Sequence, residues 1–143
     1  MDWGLIFFIW KYSARILCIL VCAWAFLQGG KTERIAAAII IVGWYLSHLN
    51  ATHDGSGPAI ATVMIDIVVT ACFAALAIWS RRPWTFFITA CMVNAVATHF
   101  IARAFDLGVF AYVTVAGFWG SYAILTCLAF GVMGHRARLR AQV

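Results

Sequence analysis

Five apolar runs, separated by connections of only a few residues, decide most of what this chain can become. Bounded by Gly, Pro or charge, they fall at 4–27, 35–49, 59–79, 84–105 and 109–132. All but the second approach the ~20 residues an α-helix needs to cross a hydrocarbon core of ~30 Å. Only 10% of the 143 residues are charged, against roughly a quarter in soluble domains. With 65% of the chain hydrophobic there is too little polar surface to shield it from water, so lipid is the expected solvent. The expectation is an all-α integral membrane bundle of about five transmembrane helices, forming one domain over 1–143. It becomes four spans if the first run, which carries Lys11 and Arg15, lies in the interface. The brief connections make each helix an antiparallel neighbour of the next.

A formal charge of +5 resembles a nucleic-acid signal, but the cations sit where topology determinants sit. Lys31 and Arg34 lie in the first connection, Arg81 and Arg82 in the third, and Arg136, Arg138 and Arg140 in the tail, with no Lys or Arg in the second and fourth connections. Five spans put all three basic positions on one side. The positive-inside rule makes that side the cytoplasm, with the carboxyl terminus there and the amino terminus and loop 53–57 outside. Nucleic acid is therefore not an expected partner; the bilayer is. The five cysteines all fall within apolar runs without metal-site or disulfide spacing and read as small buried residues. The first run has no basic n-region or A-x-A-type site and reads as retained rather than cleaved.

The most informative feature is a layer of ionisable side chains. At 1.5 Å of rise per residue, Lys11 and Arg15 lie roughly 24 and 18 Å above Leu27, and His48 about 20 Å above Ile35. Asp66 lies about 20 Å above Trp79 and His99 about 22 Å above Trp84. Arg103 sits a turn beyond His99, on the same face. Lys11, Arg15, Cys18 and Cys22 form one stripe on the first helix, and a stripe with two cations must face protein or water. Asp66 is the only deep carboxylate, which makes an ion pair with Lys11 or Arg15 the simplest expectation. Two cations against one carboxylate leave a surplus that a lipid phosphate, a haem propionate or an anionic solute could satisfy. His48 and His99, at matching height, could ligate haem b, or a metal ion together with Asp66. Trp10, Trp44, Tyr45 and Trp119 would then be apolar pocket walls. Gly43 with Ser47, and Gly117 with Ser121, allow close helix approach.

The stretches 33–38 (ERIAAA), 80–84 (SRRPW) and 97–103 (ATHFIAR) resemble small uncharacterised polytopic proteins of alphaproteobacterial inner membranes. The resemblance implies a bacterial inner-membrane location and brings no activity with it. Three functions fit the residues. The first is an accessory, assembly or interaction subunit that packs against other membrane subunits or against itself. The second is a carrier or channel that couples a proton or small anion to the polar layer. The third is a haem- or metal-binding protein. An enzyme ranks last, because no nucleophile with an adjacent base can be identified.

Overall fold

The computed structural model describes residues 3–50, 60–105 and 108–142. Loop 53–57, Asp106 and the side chain of Lys11 lie outside the described residues. Four helices, α1 (Trp3–Gln28), α2 (Lys31–Leu49), α3 (Ile60–Ser80) and α4 (Pro83–Ala104), precede a fifth. That last helix runs as α5 (Val109–Gly117), a π-helical turn (Phe118–Ala123) and α6 (Ile124–Arg140). Phe8–Gln28 within α1, α3, α4 and the stretch Ala111–Arg140 are long and apolar enough to cross a membrane. The molecule is a helical membrane bundle. Two boundaries differ from the sequence reading. The second helix begins at Lys31 rather than residue 35, and the fifth continues past Val132 to Arg140. In both places charged residues extend a helix that the apolar pattern alone had closed.

Turn chemistry explains the tight connections. Gly29 and Gly30 join α1 to α2, and a β-carbon on Gly29 would sit 2.4 Å from the Ala25 carbonyl oxygen. Arg34 Nε donates to the Gly29 carbonyl at 3.2 Å. Arg81 ends α3 with φ of 52°, a left-handed residue at the position glycine usually fills. Pro83 then opens α4 at a position whose N–H has no helical partner to lose.

The helices close into a ring in chain order. Helix α1 packs on α2 and α6, α2 also on α3, and α3 on α4, while α4 meets both α5 and α6; α2 and α6 touch across the middle. Along the length of α6 the core of the bundle is largely apolar. Cys22, Ala25, Ala36, Ala37, Phe73, Ile88, Leu125 and Leu128 are buried there among others, and the alanines let backbones approach closely. Beyond the π turn the arrangement changes: among the described residues, α5 lies chiefly against α4, with Gly117 at its end beside the Trp10 indole of α1. Among the described residues, the end along α6 is thus the more tightly packed of the two.

Close packing at the sealed end sets a testable limit. A β-carbon on Gly131 would fall 2.7–3.1 Å from three ring atoms of Trp84, a rigid neighbour that cannot yield cheaply. Gly131→Ala is expected to destabilise the bundle by about 1–3 kcal/mol through overpacking, read by unfolding in detergent micelles. Gly134, with open space around it, is the control and should tolerate alanine.

Candidate functional site

At the open end, three helices each contribute one member of a hydrogen-bonded chain. Asp66, six residues into α3, accepts from His99 of α4 with Oδ2 and Nε2 2.8 Å apart. The other ring nitrogen of His99, Nδ1, lies 2.7 Å from the Tyr112 hydroxyl of α5. His99 is 4% exposed and Asp66 22%, so the imidazole is enclosed while the carboxylate retains an open side. A carboxylate at Asp66 fixes the tautomer: Nε2–H donates to it, and Nδ1 accepts the Tyr112 O–H. Every polar atom of the ring is satisfied in this arrangement.

The chain borders a partly open cavity of about 280 Å³ whose wall includes Trp44, Ser47, Thr62, Gly117 and Ser121 along with Asp66, His99 and Tyr112. The π turn shapes one side. Its i→i+5 bonding displaces the backbone and frees carbonyls that an α-helix would consume, and the Gly120 carbonyl accepts from Trp44 Nε1 at 3.5 Å. The turn is also tethered to α1. Tyr122 O–H donates to the Trp10 carbonyl at 2.8 Å, and Ser13 Oγ lies 2.7 Å from the Tyr122 oxygen.

Several sequence expectations find different places. Asp66 pairs with His99 and not with Arg15, whose guanidinium lies over the Tyr12 ring, 5.6 Å from its centroid. Rotation of α1, which height alone does not give, turns Arg15 into a lateral groove between α1 and α2 instead. His48 is exposed and lines the same groove, so His48, Asp66 and His99 do not form one ligand set. Among the described residues no three His, Cys, Asp or Glu side chains gather to hold a metal. Both nitrogens of His99 are hydrogen-bonded, one to Asp66 and one to Tyr112. Arg103 is exposed at the end of α4. Of the four aromatics expected as pocket walls, Trp44 lines the cavity. Tyr45 faces the lateral groove, Trp10 stacks on Tyr122 with centroids 4.4 Å apart, and Trp119 meets Phe118 edge-on. Cys18 and Cys22 are buried as expected, whereas Cys72 is exposed.

Two residues escaped the sequence reading. Tyr112 is one; at the start of a helix, tyrosine reads as an interfacial aromatic, yet its height matches that of His99. Glu33 is the other. It is fully buried, 0% exposed, at the sealed end, where Oε1 pairs with Arg82 Nη1, while Oε2 has no hydrogen-bond partner among the described residues. That Oε2 atom and His135 Nδ1 both lie 3.0 Å from the place a Gly30 side chain would occupy. The contacts of Glu33 with Arg82 and of Gly30 with His135 bring all three basic positions to one end of the bundle. No family model, curated protein or solved structure matches the chain.

Proposed function

We propose that this chain is a multi-pass protein of the bacterial inner membrane that acts as a small proton-coupled carrier. The observation supporting this reading is the cavity at the open end, with the Asp66–His99–Tyr112 chain in its wall. Ionisable groups inside a membrane are expensive and mark solute or proton sites by default. A proton delivered to His99 enters at Nδ1 and turns the Tyr112 bond around, so the imidazole changes charge without breaking its bond to Asp66. The solute class follows from the lining. Among the described residues Asp66 is the carboxylate of the cavity, Trp44 and Tyr112 supply aromatic surface, and Ser47, Thr62 and Ser121 supply hydroxyls. Arg15 and Arg103 do not line it. A small cation suits that described lining better than an anion. The apolar core beneath the cavity corresponds to a state closed toward the basic end. The positive-inside pattern makes that end cytoplasmic and the cavity outward-facing.

The test uses purified protein in phosphatidylethanolamine–phosphatidylglycerol vesicles loaded with a pH-sensitive dye. An imposed gradient of quaternary ammonium cations, tetramethylammonium and tetraethylammonium, which have no N–H to lose and cannot cross as neutral amines, is expected to drive opposing proton movement that protein-free vesicles lack. Proton movement equal to that of empty vesicles for every cation overturns the carrier.

A second reading, the accessory or self-associating subunit, draws on a different observation. Between α2 and α3 runs an apolar groove of about 500 Å³, lined by Val42, Gly43, Met64, Val68 and Cys72 among others. Its lining suits a helix of another subunit or of a second copy. Native mass spectrometry from the host membrane distinguishes the two, because a stable complex without solute supports the subunit.

A further inference from the structure

Helix α1 carries two thiols on the face that also holds Arg15. Their spacing of four residues stacks Cys18 and Cys22 one turn apart on one side of the helix, and the sulfurs lie 4.0 Å from each other. Both are free and buried in the bundle. Both nevertheless reach the wall of the lateral groove between α1 and α2, a space of about 920 Å³ whose lining also includes Arg15. Around the thiols that lining is apolar, with Ile19, Ala23 and Phe26. Measured from Gln28, the sulfurs stand about 9 and 15 Å inside the end of α1, with Arg15 almost a turn further. The groove gives a small ion a route to them.

The donor set decides which ion fits. Thiolates are soft ligands that select copper(I), zinc or iron–sulfur clusters. Zinc and the clusters take three or four protein ligands, and among the described residues no three His, Cys, Asp or Glu side chains gather. Copper(I), a closed-shell monovalent ion, is satisfied by two thiolates. With the zinc–thiolate length of about 2.3 Å as a guide, two such bonds together exceed the 4.0 Å between the sulfurs. One ion therefore touches both without movement of the backbone.

We propose that Cys18 and Cys22 form a binding site for one copper(I) ion, held as a bis-thiolate with Arg15 as its counter-charge. Binding breaks two S–H bonds, releases both protons to solvent and forms two copper–sulfur bonds, with no change of oxidation state. The product carries one net negative charge, which is costly among apolar side chains. The guanidinium three residues from Cys18, in the same groove wall, supplies the matching positive charge. This site is separate from the Asp66–His99–Tyr112 chain and does not rest on the carrier reading. Cys91 and Cys127 also meet, across α4 and α6, but neither lines the groove, and they serve as the internal comparison.

Anaerobic titration of the reduced full chain in dodecyl maltoside, with copper(I) buffered by the chromophoric chelator bicinchoninate, tests the site. The expected result is one equivalent withdrawn from the chelator more tightly than any other and not displaced by equimolar zinc(II). Cys18→Ala and Cys22→Ala should each weaken that equivalent by at least about 100-fold, beyond what loss of an outer-sphere partner produces. The double variant Cys91→Ala with Cys127→Ala should retain it. Arg15→Gln should weaken it roughly tenfold, the scale of one charge acting across a helical turn, whereas Arg15→Lys keeps the charge and most of the affinity. Copper(I) should also raise the unfolding temperature of the wild type, a readout that does not depend on how the variants fold. No rise overturns the proposal. So does wild-type affinity in Cys18→Ala and Cys22→Ala, or loss of the tight equivalent from the Cys91 and Cys127 double variant. Displacement by zinc(II) overturns the choice of ion, and unchanged affinity in Arg15→Gln overturns the counter-charge.

Discussion

Arg82→Ala is expected to lower the stability of the bundle by about 3–5 kcal/mol, the loss that follows when one partner of a buried ion pair is removed. Glu33 has no access to water, its Oε1 is held by Arg82, and its Oε2 has no hydrogen-bond partner among the described residues. Removing the guanidinium leaves a carboxylate buried with neither oxygen answered. The reverse change should be much milder. Arg82 is 26% exposed, so in Glu33→Gln its head can turn to solvent. The glutamine can still accept one bond, giving a loss of about 1 kcal/mol. Glu33 also sits in the first turn of α2, where the helix dipole favours its charge by a further few tenths to 1 kcal/mol. The double variant Glu33→Leu with Arg82→Ala completes the cycle and should recover most of the loss, because no buried charge remains. Unfolding of each variant in mixed micelles gives the numbers. If the double variant is as unstable as Arg82→Ala alone, packing of the arginine stem rather than the orphaned carboxylate is responsible.

That pair also marks the boundary of what the sequence could reveal. Apolar run length fixes the number of helices and their order, because a lipid solvent leaves the backbone no alternative to helix over such stretches. The ring of neighbours then follows from short connections. Glu33 sits in a polar tetrad, Lys31 to Arg34, which reads as a loop; it joins α2 because Glu33 turns inward to a partner forty-nine positions away. No local pattern encodes that partnership. Heights were legible too, so Asp66 and His99 could be placed in one layer from the rise per residue alone. Rotation about the helix axis was not. It decides that Asp66 meets His99, that Arg15 and His48 face a groove on the other side of Trp44, and that among the described residues His48, Asp66 and His99 do not gather into one metal-ligand set. The π turn had no sequence signal beyond Gly117 and Gly120, which allow but do not specify it. With it went the divergence of α5 from the ring, and hence the cavity.

Asp66→Asn is expected to reduce cation-driven proton exchange in reconstituted vesicles by roughly 10- to 100-fold. That range is the kinetic equivalent of the 1.5–3 kcal/mol carried by a hydrogen bond to a charged group. Asparagine keeps the shape and one acceptor oxygen but cannot balance a cationic imidazole at His99, so the protonated state loses its counter-charge. Tyr112→Phe removes only the hydroxyl that meets Nδ1 at 2.7 Å. A bond between neutral groups contributes about 0.5–1.5 kcal/mol, so exchange should fall roughly 2- to 10-fold. His99→Phe breaks the chain at its centre and should leave exchange at the level of empty vesicles. The expected order is therefore His99→Phe and Asp66→Asn far below Tyr112→Phe, with Tyr112→Phe below the wild type. A purely structural network predicts another pattern, in which exchange per folded molecule stays constant and only the folded fraction drops. Measuring thermal unfolding of the same preparations separates the two. Wild-type exchange in Asp66→Asn would remove the carboxylate from the transport step and leave the chain as a brace between α3, α4 and α5.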